Sequence, residues 1–177
     1  MYSWCSHLNN YTFEETQDYL DTMAALEAEY PGVKFIYMTG NAQATGSLGY
    51  NRYLRNEQIR QWVQNSENRV LFDFVDLDSW WYNPDTQQWE QATYEYNGHI
   101  VPMEHPHFNG DEAGHTTFES CEQKGRAVWW MMARLAGWNP STGTTRLDID
   151  REVKDFKGEE ASEQDVKDKI KGYMEGQ

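Results

Sequence analysis

Two compact apolar runs, Val33-Lys34-Phe35-Ile36-Tyr37-Met38 and Val70-Leu71-Phe72-Asp73-Phe74-Val75, each follow a stretch with helical spacing, and this repeat restricts the fold more than any other feature. Short runs of β-branched and aromatic residues read as buried strands. Ahead of the first run, Thr12-Phe13-Glu14-Glu15 is a capping box, and Tyr19, Leu20, Met23, Leu26 and Tyr30 recur at helical spacing until Pro31-Gly32. Ahead of the second, a polar loop over residues 41–50 gives way to Leu54, Ile59, Trp62 and Val63, which predict an amphipathic helix ending near Asn65. Two such units predict an α/β fold in which a parallel sheet is covered by helices on both faces. Ligands in such sheets bind beyond the carboxyl ends of the strands, here Thr39-Gly40-Asn41 and Asp76-Leu77-Asp78.

The pattern then changes. Asn83-Pro84-Asp85 is turn chemistry, and Tyr94-Glu95-Tyr96 faces His99-Ile100-Val101 across Asn97-Gly98, which predicts an antiparallel hairpin inserted over residues 80–103. A helix from about Lys124 to Ala136 follows, ended by Gly137 at its C-cap. Beyond Pro140 the chain is strongly charged and free of Trp. Ile149, Val153 and Phe156, then Val166, Ile170 and Met174, predict a C-terminal helical hairpin. The expected organisation is therefore an α/β domain over residues 1–139 and an appendage over residues 140–177.

Charge removes two classes of partner. The 29 acidic and 15 basic side chains give a formal charge of −14, which repels phosphate backbones and anionic lipid. Neither nucleic acid nor a membrane is expected to bind, and no apolar run approaches the ~20 residues that span a bilayer. Met1 opens directly onto Tyr2-Ser3-Trp4-Cys5, without the basic start and apolar stretch of a secretory signal.

Chemistry concentrates between Gly114 and Gly125, where His115 in a loop, Cys121 and Lys124 precede an apolar helix. Together with Tyr37-Met38-Thr39-Gly40, the Arg55-Asn56-Glu57-Gln58-Ile59-Arg60 helix, Leu71-Phe72-Asp73-Phe74 and Ala133-Arg134-Leu135-Ala136-Gly137-Trp138, this segment resembles the C-terminal part of an SGNH (GDSL-like) hydrolase of a bacterial secreted type. The resemblance covers residues 2–138 apart from the inserted hairpin. It implies a three-layer α/β/α, flavodoxin-like fold, N-terminally truncated, and cleavage of acyl or acetyl esters, with a carbohydrate or polymer as carrier. It also implies His115 as catalytic base and Glu112, three residues earlier, as the carboxylate that orients it. The block in which the family keeps its nucleophilic serine has no match here. Ser47, in Thr45-Gly46-Ser47-Leu48-Gly49, is the weaker candidate, because Thr45 spoils the Gly-x-Ser-x-Gly elbow. Ser6, Asn9 and Asn41 are candidates for oxyanion or substrate binding.

Further expectations follow from the resemblance. A cysteine occurs in the family at both matching places, so Cys5 and Cys121 are expected to pair in a disulfide, which implies a secreted or extracytoplasmic location; two buried thiols are the alternative. A sheet cut at an interior strand leaves an unpaired edge, and a homodimer is expected to complete it. No cofactor is expected. His105, His107 and His115 are a weaker alternative as a metal set. Trp80, Trp81 and Trp89 offer an aromatic surface for a sugar, or else staple the hairpin to the core. The competing functional class is a non-catalytic scaffold of the same ancestry that binds carbohydrate or protein.

Overall fold

The computed structural model describes residues 6–139. Cys5 and the predicted C-terminal helical hairpin lie outside the described residues. The chain divides into two compact units, Met1–Met132 and Ala133–Gln177. That boundary lies inside the helix Phe118–Leu135.

Helix α1 (Phe13–Glu29) starts at the predicted capping box: Glu15 N donates to Thr12 Oγ1 at 3.1 Å, and Thr12 N donates to Glu15 Oε2 at 2.8 Å. Two of the helix's otherwise orphaned donors are thereby satisfied. Strand β1 (Ile36–Met38) pairs in parallel with β2 (Val70–Phe72), with Tyr37 opposite Leu71. Between them runs α2 (Gly46–Gln64), which begins inside the stretch predicted as loop. Leu20 and Met23 of α1, Tyr37 and Met38 of β1, Ile59 and Val63 of α2, and Phe72 of β2 form one core with Leu8. The protein is thus of mixed α/β type with small sheets.

Both strands are shorter than their apolar runs. The second ends at Phe72 because Thr39 Oγ1, 1% exposed as a residue, draws the chain aside. It donates to Asp73 Oδ1 at 2.9 Å and accepts from Val75 N at 3.0 Å. The backbone turns there into α3 (Phe74–Ser79), so Asp76, Leu77 and Asp78 are helical and not strand-end residues.

The insertion is two hairpins. Strand β3 (Trp80–Asn83) pairs antiparallel with β4 (Gln88–Gln91), and β5 (Thr93–Tyr96) with β6 (His99–Pro102). At the second turn Asn97 and Gly98 have φ of 50° and 78°, the two positive values of a type I′ turn, as their sequence predicts. Helix α2 approaches this insertion at Gly49, where an added Cβ would lie 2.2 Å from Ala44 O and 2.5 Å from Tyr94 Oη.

Helix α4 (Phe118–Leu135) begins six residues before the predicted Lys124. Met131 packs it on the core. In the second unit, Gly137 at φ 94° donates to Arg134 O, and Trp138 N donates to Ala133 O, closing the helix at the predicted C-cap. Among the described residues, no helix is long and apolar enough to cross a membrane.

Candidate functional site

The polar residues of α2 that extend its apolar stripe toward the helix start build the site's floor. Arg52 and Asn56 stand on the same face as Ile59 and Val63, and all four are buried. Asn56 Oδ1 accepts from Gly40 N at 2.8 Å, fixing the chain as it leaves β1. Arg52, 2% exposed, donates through Nη1 to Asn9 Oδ1 at 3.0 Å and Asn41 Oδ1 at 2.8 Å, and through Nη2 to Ala44 O at 2.9 Å. Burial is the largest influence on this guanidinium and lowers its pKa to about 10, against the pull of Asp78, Tyr94 and Glu104.

A second cluster meets it from α3 and α4. Asp78, 1% exposed, accepts from Ala42 N at 2.9 Å through Oδ2 and pairs with Lys124 Nζ at 2.5 Å through Oδ1. Lys124 also donates to the buried Ser120 Oγ and lies 4.9 Å from the Phe74 ring centroid. Glu104 is 9% exposed, its N–H donates to Ala42 O, and burial followed by the charge of Asp78 raises its pKa. Charged groups of both signs therefore crowd the carboxyl end of β1. Each carries a geometric constraint, since an unpaired buried charge is costly.

The histidine loop hangs beside this cluster. Gln43 Nε2 donates to His115 O at 3.0 Å and reaches Glu104 Oε1 at 3.5 Å. The loop closes on itself, with Glu112 N and Ala113 N donating to Thr116 O, and Gly114 adopts φ 73°. Thr116 Oγ1 and Thr117 N both donate to Phe108 O.

The expected pairing of Glu112 with His115 is not formed. Glu112 Oε2 accepts from Phe118 N at 2.9 Å, because the first N–H of α4 and its helix dipole attract the nearest carboxylate. The acid beside His115 is Asp111, whose Oδ1 lies 3.7 Å from Nδ1, and both side chains are 91% exposed. At that separation and exposure the pair is a loose, solvated one.

The other predicted residues sort as follows. Asn9 and Asn41 do come together, on Arg52, whereas Ser6 is exposed at the start of the 3₁₀ turn His7–Asn9. Ser47 is exposed in the first turn of α2, four residues beyond Gln43, and no longer in a loop. Cys121 is an exposed free thiol on α4, and its expected partner lies outside the described residues. The three tryptophans do not form one surface. Alternation along β3 buries Trp81 and leaves Trp80 half-buried, while Trp89 is exposed beside Tyr82, with ring centroids 5.5 Å apart. Nor do His105, His107 and His115 converge. The first two stack on Trp81, and among the described residues no three His, Cys, Asp or Glu side chains are grouped to hold a metal ion.

Arg52 and Gln43 were not singled out in the sequence, whereas Asp78 was read there as a strand-end residue and proves to be helical. A signal existed for Arg52 alone, as a charged residue continuing a stripe that also carries Asn56, Ile59 and Val63. No protein-family model, curated protein or solved structure matches this chain.

Proposed function

We propose that the chain belongs to an SGNH-type hydrolase with a three-layer, flavodoxin-like α/β/α fold, acting on acyl or acetyl esters with His115 as its base. The observation that supports this reading is the tether from Gln43 to His115 O, which holds the histidine loop beside the carboxyl end of β1. Open α/β sheets bind ligands at that end. There Asn9 and Asn41 use Oδ1 on Arg52, so the amide N–H groups of both are the donors left to meet an ester oxygen. Asp111, closer to the imidazole than the predicted Glu112, takes the orienting role. Ser47 is the first serine to test as nucleophile, because it stands where the chain leaves the β1 loop to begin α2.

A fluorophosphonate probe followed by peptide mapping tests the proposal. An adduct on one serine, lost in His115→Ala, is expected, together with hydrolysis of p-nitrophenyl acetate that the same variant abolishes. No adduct and no turnover would remove the hydrolase. The second reading, a binding scaffold, is favoured by the exposed Tyr82–Trp89 pair, 41% and 50% accessible. Loss of oligosaccharide retention in Trp89→Ala, in a protein without turnover, is its expected signature.

A further inference from the structure

Three rings join the first hairpin to α4. Trp81 of β3, 9% exposed, donates through Nε1 to Glu119 Oε1 in the first turn of α4 at 2.8 Å. The His107 imidazole lies on the indole with centroids 3.8 Å apart and planes at 4°, and that of His105 stands at 5.3 Å and 21°. The two imidazoles are 5.4 Å apart. Phe108 meets His105 edge-on at 6.0 Å.

His105 is 8% exposed and caps the 3₁₀ turn Pro106–Phe108, its Nδ1 accepting from His107 N at 3.4 Å. An accepting Nδ1 is unprotonated, which assigns the hydrogen of the neutral ring to Nε2. We propose that His105 is an acid-sensitive latch: a proton on Nδ1 turns the acceptor into a donor facing the His107 N–H, undoes the bond that holds the turn whose His107 ring lies on Trp81, and releases Trp81 from α4. The first turn of α4 also anchors the histidine loop through the bond from Phe118 N to Glu112, so opening the latch loosens that loop as well.

The surrounding charges fix the direction. Burial and then His107 lower the His105 pKa, while Glu90 on β4 and Glu119 on α4 act the other way and are outweighed. Asp78 contributes its carbonyl to His105 N, and its carboxylate is held by Lys124. With the closed-state value below the ordinary 6.5, the open state takes the proton more readily. Closure is therefore fully favoured above 6.5 and is lost as pH falls from there through the lowered value.

The latch is independent of the hydrolase reading and is tested by nitrogen-15 NMR on the full chain. The Trp81 indole Nε1–H resonance, assigned with Trp81→Phe, is followed for hydrogen exchange while the His105 ring protons are titrated. Between about pH 7.5 and 5, protection should fall roughly tenfold beyond the intrinsic change, in step with a His105 titration below 6.5. In His105→Gln, whose amide oxygen still accepts from His107 N, the pH dependence should vanish. A His105 titration at or above 6.5, constant Trp81 protection in the parent, or a pH response that persists in His105→Gln would each overturn the latch. The parent titration decides alone if the variant does not fold.

Discussion

The Asp78–Lys124–Arg52 corner and the His115 loop share one end of the β1–β2 sheet, yet they are opposites in solvation. Asp78 and Arg52 are 1% and 2% exposed, whereas His115 and Asp111 are 91% exposed at their side chains. A polar side-chain pair accordingly has different weight in the two places. In the corner, losing one partner strands a charge away from water; in the loop, water replaces it. The corner fixes geometry, and the loop carries the imidazole proposed as the base.

Asp78→Ala should break this contrast most severely. It leaves Lys124 Nζ and Ala42 N without their carboxylate, and a loss of about 3–5 kcal/mol is expected in urea unfolding. Gly49→Ala comes next, at roughly 1–3 kcal/mol, because its Cβ would overlap Ala44 O, the carbonyl that receives Arg52 Nη2. A lower unfolding midpoint at unchanged slope would show lost stability with no change in the surface exposed on unfolding.

Glu104→Gln sharpens the comparison with the opposite sign. The raised pKa of Glu104 means that the native state holds its proton more tightly than the unfolded chain does, so stability declines as pH rises from the ordinary 4.5 through the raised value. The variant should be more stable than the parent at pH 7 and equal to it below 4.5, as measured by thermal unfolding across that range. At the other extreme, His115→Ala and Asp111→Ala should change stability by less than about 0.5 kcal/mol. The histidine variant should nevertheless abolish ester hydrolysis. Folded and inactive is the combination that separates the loop from the corner; unfolding of His115→Ala would contradict its exposure.

How much of this was legible in advance depends on range. The Thr12 capping box, the Asn97-Gly98 turn and the Gly137 helix end were readable because each is set by hydrogen bonds within a few residues and by the φ values those residues tolerate. The apolar runs likewise located both parallel strands. Their ends were not readable, since Thr39 Oγ1 reaches from one strand exit to Asp73 and Val75 at the other and stops β2 early. The histidine loop was expected to carry the chemistry, with Glu112 assigned to His115 by spacing. The helix that competes for Glu112 starts at Phe118, earlier than its periodicity indicates.

By itself, then, the sequence determined the alternation of helices and strands, the hairpin turn, the helix caps and the segment that holds His115. Only the tertiary structure decided which charges are buried. Arg52 finds partners at residues 9, 41 and 44, and Lys124 finds Asp78 from another helix. Periodicity reports which face of an element is apolar, but desolvation depends on what covers that face. For Arg52, Asp78 and Glu104 the cover comes from segments distant in the chain.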